Sequence, residues 1–242
     1  MAILSLEENS EKLAEIYLTT GTIQLNFQHP FLWASGFYMP IYNDNRLLLR
    51  KFRYRKFISD CFMDFIESEN IEYDIIAGIS TGSISPATTL ADRLQVPLVY
   101  VRKSPKQHGT ASTIEGIGKE ENLAKKKIIL IEDTISSGET SAHAVQAIRE
   151  SQGAVDYCFS IFNYGFRNAE RIFNGTHSFL KEIDKKIDSP CAIRSILNYK
   201  TLQNIAEQKK YIDGEQKKSL EEWFNDPFIW GVKQGFPPVK KV

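Results

Sequence analysis

The sequence lacks both common glycine-rich nucleotide cradles, having neither a Gly-Lys-Ser/Thr P-loop nor a G-x-G-x-x-G turn. No apolar run approaches the roughly 20 residues of a membrane span, so no membrane partner is expected. Net charge is absent as well, with 30 Lys and Arg against 30 Asp and Glu. Without a basic excess the chain is a poor match for general binding to nucleic acid or to a membrane surface. Cysteine is scarce: Cys61, Cys158 and Cys191 stand far apart, odd in number and without metal-ligand spacing. They read as the reduced thiols of a cytoplasmic protein. Glu7 and Glu8 precede any long apolar run, so no signal peptide is expected. There is no internal repeat or low-complexity segment. What remains is a chain of 242 residues, long enough to bury roughly 70–75% of its unfolded surface without disulfides or a structural metal.

Against these absences stands one stretch, Lys127-Ile-Ile-Leu-Ile-Glu-Asp-Thr-Ile-Ser-Ser-Gly-Glu-Thr-Ser141. Four consecutive apolar residues, Ile128 to Ile131, predict a strand buried on both faces, with Glu132 and Asp133 at its end. Small hydroxylated residues and Gly138 follow, and then Ala142, Val145 and Ile148 recur at helical spacing. In an open α/β sheet, ligands bind outside the carboxyl ends of the strands. The loop after the acids offers hydroxyls and backbone N–H groups at a helix N-terminus, which suits a phosphate. The acids are placed for sugar hydroxyls or a metal-bound polyphosphate. The competing reading is an ordinary strand–turn–helix with a polar turn.

The rest of the chain alternates strands with helices. Ser5 and Glu8 form a capping box for a helix that ends at Gly21. Ile23, Leu25 and Phe27 alternate as in a half-buried strand. Residues 31–46 are dense in aromatics and broken by Gly36 and Pro40, either a small core or a surface for a flat heterocycle. Residues 47–69 predict one long helix with Phe57, Ile58, Cys61, Phe62, Phe65 and Ile66 inward. Its basic cluster, Arg50, Lys51, Arg53, Arg55 and Lys56, reads as a solvated face. Residues 74–79 predict a buried strand, followed by a small-residue loop able to take a second phosphate and by a helix with Ser85 as cap and Pro86 first. Residues 97–101 predict a third strand. The polar tract beyond it carries Arg102, Lys103, Lys106 and His108 with hinge-like glycines, as a lid closing over an anion would. Further strands are expected over 155–162 and 191–197, and helices over 168–173 and 199–208. Asp213 and Gln216 can cap a last helix, and the tail from Asp226 is assigned only packing. The expected fold is α/β, a central parallel sheet flanked by helices. An N-terminal helix, hood and connecting helix occupy 1–70, the α/β core 71–210, and a C-terminal helix and tail packed on the core 211–242.

The stretch from Ile128 to Ser141 resembles the phosphoribosyl-diphosphate (PRPP) signature of the type I phosphoribosyltransferases. Two further patterns resemble the orotate phosphoribosyltransferases in particular. One is Arg-Lys-x-x-Lys-x-His-Gly over 102–109 with Ile114-Glu-Gly116, and the other is Ser35-Gly-x-x-x-Pro-Ile-Tyr-x-Asp-x-Arg46 in the hood. The resemblance implies transfer of the phosphoribosyl group from PRPP to orotate, with Mg2+ as cofactor, in a homodimer whose lid, residues 102–109, is shared across the interface. It implies that Arg102, Lys103, Lys106 and His108 contact pyrophosphate, with Lys106 or His108 as proton donor or charge partner at the leaving group. Lys103 and Asp133 would complete the catalytic set. Glu132 and Asp133 would bind ribose hydroxyls, with Mg2+ held mainly through PRPP nearby. Thr134, Ile135, Ser136, Ser137, Gly138, Glu139 and Thr140 would cradle the 5-phosphate, and Ser136 would also touch orotate.

There are departures from the family pattern. Ala34 stands where many members have Lys, and Asn163-Tyr-Gly-Phe166 where many place Asp-Arg, with Arg167 just beyond. Phe37 and Tyr38 are expected to compensate as orotate contacts. A transferase for another base would share the PRPP signature, and a PRPP-sensing regulator would share the fold. The lid pattern argues against the first, and the absence of a helix-turn-helix pattern against the second.

Overall fold

The computed structural model describes residues 5–33, 35–103, 113–118, 122–175 and 189–239. Helix α1 (Leu6–Thr20) opens the fold, held by the Ser5/Glu8 capping box and ended by Gly21 in the left-handed region at φ 72°. Four short strands make the hood: β1 (Ile23–Leu25), β2 (Phe31–Leu32), β3 (Tyr38–Met39) and β4 (Ile41–Asn43). They pair antiparallel as β1 with β4 and β2 with β3.

The helix expected over 47–69 is two helices. A 3-10 helix, Asn45–Arg50, is capped by Asp44, and α2 (Phe52–Ser68) begins after Lys51 in an extended conformation. On an unbroken helix, six residues at 3.6 per turn would set Leu48 about 120° from Tyr54. The break at Lys51 lets both be buried.

The α/β core follows as β5 (Ile75–Ile79), α3 (Ile84–Leu94), β6 (Leu98–Val101), β7 (Ile114–Glu115), β8 (Lys127–Ile135), α4 (Glu139–Glu150), β9 (Ala154–Asn163), α5 (Arg167–Phe173), β10 (Ala192–Asn198) and α6 (Tyr199–Gln208). The six-stranded sheet has the order β10-β9-β8-β5-β6-β7. It is parallel except for β7, which pairs antiparallel with β6 at the edge. The sequence gives no warning of β7, a strand too short to show any alternation.

Strand β8 sits third from one edge, between β9 and β5, and feeds both faces of the sheet. Ile129 and Ile131 enter the core shared with α1, α2, α3 and α6. Ile128 and Leu130 enter the core under α4 and α5. Period-two geometry requires this split, and it explains the uninterrupted apolar run. The strand also continues past its two acids to Ile135, because β9 keeps pairing with it as far as Asn163.

Helix α3 starts two residues earlier than the sequence predicts. Ser83 is its N-cap position, and Pro86 lies third in the helix, still in the first turn where its missing N–H costs nothing. The chain ends with α7 (Gly214–Asn225), boxed by Asp213 and Gln216, and α8 (Pro227–Lys233), which packs on hood strand β3. Among the described residues, no helix is long and apolar enough to cross a membrane. Cys61, Cys158 and Cys191 are buried free thiols.

Candidate active site

The carboxyl ends of β5 and β8 open into a cavity of about 1270 Å3. Drug-sized ligands occupy pockets of about 300–1,000 Å3, so there is room here for two substrates. One side is the loop after β8. Ser136, Ser137, Glu139 and Thr140 line the cavity at the start of α4. Gly138 makes the turn at φ 84°, where a Cβ would stand 2.9 Å from the Cα of Ala169. Asn168 of α5 braces the loop by donating from Nδ2 to the carbonyl of Ser137 at 2.9 Å. Ile135 sends its side chain into the core, and its carbonyl accepts from the N–H of Tyr164 at 2.9 Å. Neither Ile135 nor Gly138 lines the cavity.

The two acids are not equivalent. Glu132 is buried and hydrogen-bonded to Ser83 Oγ at 2.8 Å, to Ser141 Oγ at 3.0 Å and to the Asp133 N–H at 2.9 Å. It ties β8 to the starts of α3 and α4. Burial first, and then the charge of Asp133, push its carboxyl up to about 8. Ser83, expected in a small-residue loop able to take a second phosphate, caps no helix with its side chain because it serves Glu132 and accepts from the Asp133 N–H at 2.9 Å. Both acids line the cavity, but Asp133 is only half-buried, with Oδ1 accepting from the Thr134 N–H at 2.9 Å. Gly82 leaves it room: a Cβ there would fall 2.3 Å from Oδ2.

The hood grips this strand from above. Asn45 donates from Nδ2 to the Asp133 carbonyl at 2.6 Å and to Thr134 Oγ1 at 2.9 Å, and Asn43 donates to the same hydroxyl at 2.8 Å. Tyr17 of α1 donates in turn to Asn45 Oδ1. These asparagines fill unspecified positions of the hood pattern, so their role was invisible until the chain was folded. Asn45→Ala removes three hydrogen bonds made by a buried side chain. It is expected to cost about 2–3 kcal/mol and to lower Tm by about 5–10 °C. Thermal unfolding followed by circular dichroism checks this, and a Tm within about 2 °C of the parent would show that the network holds nothing.

At the other end of the cavity, Ser80, Thr81, Arg102 and Lys103 form a smaller recess of about 470 Å3, and Lys103 lines both spaces. Arg102 also lies 3.9 Å from Glu115 of β7. Lys106 and His108 lie outside the described residues, as does Ala34. Phe37 and Tyr38 are not among the residues lining the cavity. Phe37 packs on Phe228 with ring centroids 5.0 Å apart, and Tyr38 on Phe236 at 5.6 Å. The aromatic lining comes instead from Trp33, Tyr42, Tyr164, Phe166, Phe224 and Phe228, with Arg46 and Arg167 adding positive charge.

A parallel sheet with a hydroxyl-rich loop after an acidic pair, capped by an N-terminal hood, defines a type I phosphoribosyltransferase. In agreement, residues 45–162 match the family described as phosphoribosyl transferase domain. An orotate phosphoribosyltransferase of Listeria innocua is 35% identical over 222 residues, covering 91% of this chain and 98% of that protein. One of Coxiella burnetii is 32% identical over 220 residues, 90% of this chain and 97% of that protein. The chain belongs to the orotate phosphoribosyltransferases. Solved structures share its fold. Orotate phosphoribosyltransferase from Aeropyrum pernix superposes with a TM-score of 0.62 at 22% identity, over 83% of this chain and 99% of that one. Leishmania donovani UMP synthase gives 0.67 at 18% identity over 91% of this chain, which spans 43% of that larger protein.

Proposed function

We propose that the protein transfers the 5-phosphoribosyl group of PRPP to orotate, giving orotidine 5′-monophosphate and pyrophosphate. The observation that carries this reading is that Asp133, the hydroxyl loop of residues 136–140 and Lys103 line one cavity. These supply what a sugar diol, a terminal phosphate and a diphosphate each require. Ser136, Ser137 and Thr140, with backbone N–H groups at the start of α4, take the 5-phosphate. Asp133 faces the ribose hydroxyls, and Glu132 holds the strand behind it. Arg102 and Lys103 take pyrophosphate beside Ser80 and Thr81, and Lys106 and His108 complete that set on the sequence pattern.

In the reaction, a ring nitrogen of orotate gives up its proton, which a pyrophosphate oxygen accepts, and bonds to C1 of the ribose as the bond from C1 to the pyrophosphate oxygen breaks. The electron pair departs with pyrophosphate. Positive charge develops on the sugar as in glycoside chemistry, and negative charge on the leaving group. Cations at the pyrophosphate end stabilise the second. A closed lid excludes the water that would hydrolyse PRPP. Among the described residues, no group of three or more His, Cys, Asp or Glu side chains could hold a metal ion by itself. Mg2+, a hard cation that keeps waters and phosphate oxygens as ligands, suits a place on the PRPP oxygens, with the Asp133 carboxylate lining the same cavity. Bound there, it would neutralise diphosphate charge. The family resemblance further supports a homodimer with residues 102–109 reaching the neighbouring site. Three buried free thiols support a cytoplasmic setting.

Orotate absorbance followed after addition of PRPP and Mg2+ tests the reading, with Lys106→Ala beside the parent. Mg2+-dependent consumption is expected, falling by about 10²–10³-fold in the variant. Turnover that survives in the variant would remove Lys106 from the site. Conversion of hypoxanthine, guanine or uracil with orotate untouched would keep the transferase and replace its substrate.

A further inference from the structure

The cavity has a wall that neither the PRPP signature nor the hood pattern supplies. Phe224, Asn225, Pro227 and Phe228 line it from the end of α7 and the start of α8. This segment is seated closely. A Cβ on Gly231 would stand 2.6 Å from the carbonyl oxygen of Tyr38, so α8 lies directly on the backbone of β3. Farther along, the Val239 N–H donates to the Gly36 carbonyl at 2.8 Å, and a Cβ on Gly36 would fall 2.5 Å from the Val239 oxygen. The Ser-Gly of the hood therefore admits the C-terminal chain. On the inner side, Phe224 stacks on Phe166 with centroids 5.7 Å apart and planes 28° from parallel. Phe228 itself keeps 45% of its surface exposed while lining the cavity.

The chemistry of the remaining walls fixes what this one faces. The 136–140 loop and Asn168 are polar and suit the phosphate, Asp133 suits the sugar, and the Lys103 recess suits a diphosphate, while Trp33, Tyr42, Tyr164 and Phe166 add to the same aromatic lining and Arg46 and Arg167 add cations. An apolar aromatic wall would desolvate any of those groups at a cost. It offers a face only to a flat ring, on which stacking is favourable.

We propose that residues 224–228 form the base-facing wall of the site and that Phe228 is a specificity-determining residue that packs on the ring of the acceptor base. The inference rests on the transferase reading above. Phe228→Ala and Phe228→Tyr, made in the full chain, test it through separate Michaelis constants for orotate and PRPP. In the alanine variant the orotate KM is expected to rise about tenfold, from loss of one base–aromatic stacking contact, with the PRPP KM within about twofold of the parent. Tyrosine should restore the orotate KM. Because Phe228 is half exposed, Tm should stay within about 2 °C of the parent. An unchanged orotate KM in an active alanine variant would overturn the wall while leaving the transferase intact. A parallel rise of both constants would reduce the segment to a structural brace and also overturn it. A parent protein that does not consume orotate would sink the transferase reading, and this inference with it.

Discussion

Asp133→Asn is expected to lower kcat/KM by about 10²–10³-fold, while Glu132→Gln costs less than about tenfold. The two acids are neighbours in the chain, yet the strand turns them to different work. Glu132 spends both oxygens on Ser83, Ser141 and the Asp133 N–H. Its carboxyl is pushed up to about 8 by burial, so it carries a proton at neutral pH. Protonated on Oε2 it donates to Ser141 Oγ while Oε1 accepts from the Asp133 N–H, a pattern of one donor and one acceptor that glutamine reproduces. Both acids line the cavity, but Asp133 is the half-buried one, and on the proposed function asparagine there loses the charge offered to the sugar. A second readout follows from linkage. With its folded value above the usual 4.5, Glu132 binds more protons folded than unfolded. Its contribution to stability is therefore full below pH 4.5 and lost as pH rises through about 8. Tm measured from about pH 5 to 9 should fall more steeply in the parent than in Glu132→Gln. Equal loss of activity in both variants would show that both acids act on the substrate.

Much of the fold was legible because its signals are local. The Ser5/Glu8 and Asp213/Gln216 boxes, the run Ile128 to Ile131 and the helix Tyr199–Gln208 stand where their residue patterns require. The loop after β8 was legible for the same reason, since its hydroxyls, its glycine and its helix start are consecutive. What escaped depends on contacts between distant parts of the chain. Asn45 and Asp133 are 88 residues apart, and nothing near Asn45 announces the pairing. Phe37 and Tyr38 were expected to compensate for the missing Lys and Arg, but they pack on Phe228 of α8 and Phe236 of the tail and are not among the residues lining the cavity. The break at Lys51 follows from the competing burial of Leu48 and Tyr54, a conflict that exists only once the core is placed.

Gly82→Ala is expected to lower kcat/KM by about 10²-fold while moving Tm by less than about 2 °C. Gly82 has ordinary backbone geometry, so alanine fits the chain there without strain. The added methyl would stand 2.3 Å from Oδ2 of Asp133 and 2.7 Å from its Cγ. These atoms belong to a side chain with room to swing, so the conflict resolves by displacing the carboxylate rather than the sheet. The fold keeps its core and loses the aim of one group. A displacement of about 1 Å at a reacting centre is enough for a loss of this size. The double variant with Asp133→Asn separates this account from a general disturbance of the recess near Ser80 and Thr81. If Gly82 acts through Asp133, the two losses overlap and the pair costs little more than the worse single variant. If they multiply, Gly82 serves the diphosphate end on its own account, and the close approach of its loop to β8 is incidental to where Asp133 points.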